Sequence, residues 1–348
     1  MANSQTFWSK ESKPFCVAEF SANHQGSLDF VFKMVDAAAE AGADAIKLQT
    51  YKPESMTLDS DNPAFIISNP NSPWYGKRLF DLYAEAAMPW DWHKPIMDRA
   101  KQVGVKCFSS PFDSESLEFL LRLDVPFIKI ASHECIDIPL ISKAAASGKP
   151  LIISTGMATI SEIFDAVNTA RSHGCQSLTL LKCTTSYPAS PTDCNILTIP
   201  HMRDLFQCEV GLSDHTLGIG TAIAAVAHGA SFVEKHFTLD RSLGGPDSTF
   251  SLEPAEFQRL VQETTAAKAS LGTINYNPTE SEIASRSKRR SLYAIDNIKA
   301  GEIFNESNVK SLRPSGGLEP KFFDSLLGRI CYVDLPKGSP ILWEHITP

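Results

Sequence analysis

No two of the eight cysteines stand in a C-x-x-C spacing, and they are scattered from Cys16 to Cys331. That excludes a disulfide framework and a zinc ribbon, and the thiols are expected to be reduced and mostly buried. No stretch approaches the about 18 uninterrupted apolar residues of a membrane span, and the opening MANSQTFWSKESKPF has no apolar run behind a basic segment. The chain is accordingly expected to be cytoplasmic. An excess of basic charge is also missing, since 32 Lys and Arg face 40 Asp and Glu for a formal net charge of -8. Nucleic acid therefore has no electrostatic footprint, and an anionic substrate would need a local positive site. There is no P-loop, and neither GIGTAIA nor SLGGPDS has the Rossmann glycine spacing, so nucleotide binding is disfavoured. With 43% hydrophobic and 21% charged residues, disorder, collagen and coiled coil are excluded.

What the chain does have is an alternation of short β-branched or apolar runs with longer stretches of helical period, from Phe15 to about Leu271. Eight strands are expected, at 15–19, 44–49, 105–110, 126–132, 150–155, 177–183, 209–213 and 231–236. DFVFKMVDAAAEAG exemplifies the helices between them, with apolar residues recurring at three and four and a stop at Gly42. Eight such units in one α/β chain predict a (β/α)8 TIM barrel, with an open doubly wound sheet as the alternative. The strand ends favour the barrel, because they carry Glu19, Lys47 with Gln49, Ser110, Lys129 with Ser132, Ser154, Lys182, Ser213, and Glu234 with His236. Functional groups of barrel enzymes collect at that rim. Residues two apart on a strand share a face, so Ala45, Lys47 and Gln49 should point inward while Ile46 and Leu48 meet the helices.

Between Tyr51 and Met88 runs a long connection with Pro53, Pro63, Pro70, Pro73, Phe65, Trp74 and Tyr75. Its aromatics favour a lid or pocket wall over a loose linker. After a barrel domain over 1–272, the polar stretch 273–289 reads as an exposed linker, and a small domain is expected over 290–348. About sixty residues are marginal alone, so this part should lean on the barrel or on a second subunit.

His215 follows the seventh strand and His236 ends the eighth. Neighbouring strands lie ~5 Å apart, so the two imidazoles can share one divalent metal whose remaining positions go to water and substrate oxygens. Lys47 and Lys129, among the hydroxyls of Ser110, Ser132, Ser154 and Ser213, fit a phosphate or carboxylate better than an apolar ligand. Glu19, Glu134, Glu234 and Asp247 are candidates for acid or base work, though compensation of the lysines would account for each equally well. Metal, anion pocket and carboxylates together describe an enzyme that activates a carbonyl beside an anionic substrate.

The strings AEFSANHQGS, ADAIKLQTY, FSSPFD, KIASHE, ISTGMAT, LKCTTSYPA, GLSDHTLGIG, EKHFTLDRSLGGPDSTFSLEP and RRSLYA resemble the sialic acid synthase family over almost the whole chain, and the last part resembles its antifreeze-like (SAF) domain. SANHQG, the insertion with MPWDWHK, CTTSYP and LGGPDS are similar to the pseudaminic acid synthase branch; N-acetylneuraminate synthases more often carry Asn at the position of Thr185. The resemblance implies condensation of phosphoenolpyruvate with the open-chain aldehyde of an acetamido sugar, releasing phosphate. The expected acceptor is 2,4-diacetamido-2,4,6-trideoxy-L-altrose, with N-acetylmannosamine or the legionaminate precursor as alternatives. It also implies a divalent ion on His215 and His236, Mn2+ first with Mg2+ or Co2+ as substitutes, polarising the aldehyde. Lys47, Ser110, Lys129, Ser132, Ser154, Thr185 and Ser213 match positions that hold phosphoenolpyruvate. Gln49, Glu134, Tyr187 and Asp247 match those facing the sugar and its catalysis, and Glu19 matches a carboxylate near metal and water. Arg313, in SLRPSGG, matches an arginine delivered to the other subunit, which implies a domain-exchanged homodimer. A non-catalytic sugar- or ice-binding protein is the contrary reading, and intact His215, His236, Lys47 and Lys129 weigh against it.

Overall fold

Eight parallel strands close on themselves in chain order: β1 (Phe15–Glu19), β2 (Ala45–Thr50), β3 (Lys106–Pro111), β4 (Ile128–Ile130), β5 (Leu151–Ser154), β6 (Leu178–Cys183), β7 (Glu209–Asp214) and β8 (Phe232–His236). The computed structural model describes residues 13–70 and 72–346. Closure is made by β1 against β8, with Glu19 paired to His236 and Val17 to Glu234. The expected (β/α)8 barrel is thus the observed fold, and the open-sheet alternative falls. Strand β4 is shorter than its sequence run, because Ser132 takes a helical conformation and opens a 3-10 turn over His133–Ile136.

Period-two alternation builds two cores. Outward residues such as Cys16, Ala18, Ile46, Leu48, Ile128, Ile130 and Val233 pack under the helices. The helix Leu28–Glu40 shows why: Ser27 caps it by accepting from the Phe30 amide, and Val31, Met34, Val35 and Ala38 form one buried stripe. Inward residues Phe15, Val17, Ala45, Phe108, Phe127, Ile152, Leu181 and Phe232 form a separate cluster inside the barrel. Phe15 stacks on Phe232 at 5.4 Å and meets Phe127 edge-on at 6.2 Å, so the N-terminal half of the barrel is plugged by aromatic rings. Gly211 makes room for this plug, since a Cβ there would lie 2.4 Å from the Phe232 carbonyl oxygen and 2.8 Å from a Leu181 methyl.

The chain divides into two compact units, Met1–Gly272 and Thr273–Pro348. In the second, the stretch 273–289 is exposed and includes a helical turn (Glu280–Ile283) capped by Thr279. Strands β9 (Ser291–Ala294) and β10 (Val309–Leu312) pair antiparallel. Leu292, Ile298, Phe304, Leu326, Leu335 and Ile341 make that unit's own core. RICYVDL contributes isolated bridges there, not a continuous strand. Among the described residues no helix is long and apolar enough to cross a membrane, and all eight cysteines are free, seven of them buried.

Candidate active site

Above the aromatic plug the inward positions change character. The next layer toward the strands' C-terminal ends holds Glu19, Lys47, Lys129 and Glu234, all buried. The Lys47 ammonium lies 2.6 Å from Glu19 and 3.6 Å from Glu234, and Lys129 lies 3.7 Å from the same Glu234 oxygen. Lys47 also donates to Ser110 at 3.4 Å, and Ser213 donates to Glu234 at 3.2 Å. Gln49 donates to Glu19 at 3.1 Å and to Ser21 at 2.9 Å. Burial pulls both ammonium groups down; for Lys47 the carboxylates Glu19 and Glu234 outweigh it and raise the pKa, whereas Lys129 stays lowered. Desolvation raises Glu19, while Lys129 and Lys47 overcome the same burial cost at Glu234 and lower it. Two cations and two carboxylates therefore sit in near balance, and Ser154 Oγ and Glu234 Oε2 beside them are buried without hydrogen-bond partners among the described residues. Buried polar atoms left unpaired are costly, which marks this layer as built to receive a ligand.

The two imidazoles stand at the mouth, His215 in the turn after β7 and His236 at the end of β8, with ring centroids 5.2 Å apart. His215 Nδ1 donates to the Thr184 carbonyl at 3.0 Å, so in the neutral ring Nε2 is the nitrogen that carries the lone pair. Burial, with the charges of His215 and Lys47 next, drives His236 well below its usual pKa, so it is a neutral ring. Among the described residues its Nδ1 has no hydrogen-bond partner, and Asp247 lies 3.6 Å away. Asp247 itself is lifted to about 6 by burial and by Glu19. Burial opposes a proton on His215, but the neighbouring Cys183 outweighs it and raises the pKa, so a divalent cation here would displace that proton; two imidazole nitrogens beside buried polar atoms fit such an open-sided cation. Among the described residues no group of three or more His, Cys, Asp or Glu forms a closed metal cage, so water and substrate oxygens would complete the shell.

Loops after the strands bring in the remaining candidates. Ser132 accepts from the Gly156 amide at 3.2 Å, and a Cβ on Gly156 would fall 2.0 Å from Thr185 Oγ1 and 2.8 Å from Ser132 Oγ, so glycine here lets the β4, β5 and β6 loops converge. Tyr187 packs on His215 at 4.5 Å. Burial raises Glu134 to about 7, and among the described residues its Oε2 has no hydrogen-bond partner. Arg313 belongs to the second unit, on the exposed turn after β10. Lys182, although at a strand end, lies on the outer face, where it donates to the Cys183 carbonyl at 2.9 Å.

Sequence reading passed over three neighbours of the imidazoles. Cys183 points inward, with Sγ 3.8 Å from His215 Nδ1 and from Thr185 Oγ1. Asp214 and Lys235, the outward residues just before the two histidines, form a buried ion pair of 2.7 Å, and Lys235 also donates to Thr216 O at 2.6 Å. The available signal was strand parity, which puts a lysine in the apolar helix layer where only a buried partner could hold it.

Against this geometry stand the comparisons with known proteins. The model of the SAF domain matches residues 289–347. Pseudaminic acid synthase of Campylobacter jejuni is 44% identical over 331 residues, covering 95% of this chain and 96% of that protein. The enzyme of the same name from Helicobacter pylori is 41% identical over 335 residues, covering 96% and 98%. The crystal structure of N-acetylneuraminic acid synthetase from Leptospira borgpetersenii, in complex with citrate, superposes with a TM-score of 0.70 at 33% identity, over 78% of this chain and 90% of that one. The NeuB family model matches residues 34–276, which takes in seven of the eight barrel strands and both imidazoles, and on that match this chain belongs to the NeuB family.

Proposed function

We propose that this chain condenses phosphoenolpyruvate and water with the open-chain aldehyde of 2,4-diacetamido-2,4,6-trideoxy-L-altrose, giving pseudaminate and inorganic phosphate. One observation carries the reading: two buried ammonium groups, an unpartnered serine hydroxyl and two neighbouring imidazoles meet at one barrel mouth. Its support is the 41–44% identity to proteins named for that synthesis.

In this mechanism Lys47 and Lys129 bind the carboxylate and phosphate of the donor, partly exchanging Glu19 and Glu234 for the incoming anion, with Ser110, Ser132, Ser154, Thr185 and Ser213 as further donors. His215 and His236 hold a divalent cation, Mn2+ in the first instance, whose chemistry when bound is Lewis-acid polarisation of the aldehyde oxygen. Gln49, Tyr187 and Asp247 orient the sugar. Attack by donor C3 forms the carbon–carbon bond and turns the aldehyde oxygen into a hydroxyl, which requires one proton. Glu134 holds that proton. Water then adds at C2 and passes a proton to Glu19. Collapse of the adduct breaks the C–O bond, leaving the keto group and phosphate. A cytoplasmic, domain-exchanged homodimer, with Arg313 serving the partner's barrel, belongs to the same reading.

The test is phosphate release from phosphoenolpyruvate and Mn2+ with each of three sugars. The trideoxy-altrose should react at least about tenfold faster than N-acetylmannosamine or the legionaminate precursor. No phosphate with any of them would overturn the reading, and a faster rate with another sugar would reassign the acceptor.

A second expectation concerns pH. Because burial lifts Glu134 to about 7, its proton is present below that pH and lost above it. With Glu134 as proton donor, kcat should fall as pH rises through about 7. Glu134→Gln should lower kcat by about 10²–10⁴-fold and remove that limb; a limb unchanged in the variant would take the role away from Glu134.

A further inference from the structure

We propose that Trp74 is a specificity-determining residue, whose indole face closes the acceptor side of the mouth and selects a sugar carrying a C-methyl group in place of a hydroxymethyl group. The inference rests on the condensation reading above. Trp74 lies in the long connection between β2 and β3 and is half-buried. Its ring packs on Tyr187 at 5.5 Å. Tyr187 in turn packs on His215 at 4.5 Å and on Phe250 at 5.2 Å, and Phe250 meets His236 at 4.9 Å. An aromatic chain thus runs from the imidazole pair outward to Trp74.

Depth orders the reactants along this chain. The lysines that take the donor are nearly inaccessible, at 3% and 2% exposure for Lys47 and Lys129. The imidazoles stand above them and the indole further out. A sugar with its aldehyde at the imidazoles must therefore run its far carbons along the aromatic wall. What that wall can recognise follows from its hydrogen bonding. Indole has a single donor, and the Nε1–H of Trp74 is spent on the Pro246 carbonyl at 3.0 Å. The face of Trp74 left over is apolar. A hydroxyl pressed against it would lose water without gaining a partner, whereas a methyl group would gain contact. The wall is also held in place: the Pro246 bond ties it to the neighbour of Asp247, and Arg78, four residues on, pairs with Asp59, Asp61 and Asp81 of the same connection.

The test uses open-chain alditols, made by reducing 2,4-diacetamido-2,4,6-trideoxy-altrose and its 6-hydroxy counterpart, which bind without reacting. Each is titrated calorimetrically onto the full chain with phosphoenolpyruvate and Mn2+ present. Wild type should bind the 6-deoxy alditol about 10–100-fold more tightly. Trp74→Ala should narrow that ratio to under about threefold, and Trp74→Phe, which keeps a flat apolar face without the N–H, should keep most of it. Affinity for phosphoenolpyruvate should stay unchanged in both variants. A ratio unaltered in Trp74→Ala, a Phe variant as poor as Ala, or a parallel loss of phosphoenolpyruvate affinity would overturn the inference. Wild type that binds both alditols equally sinks it alone, leaving the condensation intact. Wild type that binds neither overturns this inference, while the phosphate-release assay decides the condensation reading separately.

Discussion

Replacing His236 by alanine is expected to slow phosphate release about a thousandfold, or roughly 4 kcal/mol of activation free energy. The imidazole is buried, its Nδ1 has no hydrogen-bond partner among the described residues, with Asp247 3.6 Å off, and His215 stands 5.2 Å away. Because it forms no hydrogen bond that holds the barrel together, the variant should fold and melt nearly as wild type. The loss should show instead as weakened Mn2+ binding by direct titration. Chelation should bring wild type down to the level of the variant and leave the variant where it is. An undiminished rate in His236→Ala or His215→Ala would remove these rings from the chemistry.

The largest effect on stability is expected from Lys235→Met. The Lys235 side chain is fully inaccessible and pairs with Asp214, whose other oxygen accepts from the amide and hydroxyl of Thr216 at 2.9 and 2.8 Å. Methionine removes the cation and leaves Asp214 charged and buried, a change that costs about 3–5 kcal/mol. Urea unfolding measures it directly. Neutralising both partners, as Asp214→Asn with Lys235→Met, should recover much of the loss, since the penalty comes from the orphaned charge and not from the missing attraction. A single-variant loss below about 1 kcal/mol would show that the pair does not hold this corner. Asp214 and Lys235 are register partners on β7 and β8, immediately before His215 and His236, so the damage should extend to metal binding.

The barrel was legible because its strands repeat at period two and end in polar residues. Ala45, Lys47 and Gln49 point inward while Ile46 and Leu48 enter the helix-side core, the partition that parity demands. Lys47 and Lys129 could be read as neighbours for the same reason. Lys182 shows the limit of the rim pattern, since one residue's shift in phase sends a strand-end lysine outward. Thr185 and Tyr187 sit in loops, where no period exists, and could be singled out only through motif likeness. Trp74 was visible as an aromatic in an overlong connection, but its contact with Tyr187 spans more than a hundred positions and has no local signature. Cys183 and the Asp214–Lys235 pair were hidden because burial of a polar group is a property of the partner it finds.

The ring of phenylalanines beneath the charged layer makes the barrel a blind shaft. Traffic through it has one door. On the proposed condensation, a donor held by Lys47 and Lys129 would have to enter before the sugar, and phosphate set free at the bottom would wait behind the nine-carbon product until that product departs. Turnover would then be queued by architecture, last in and first out.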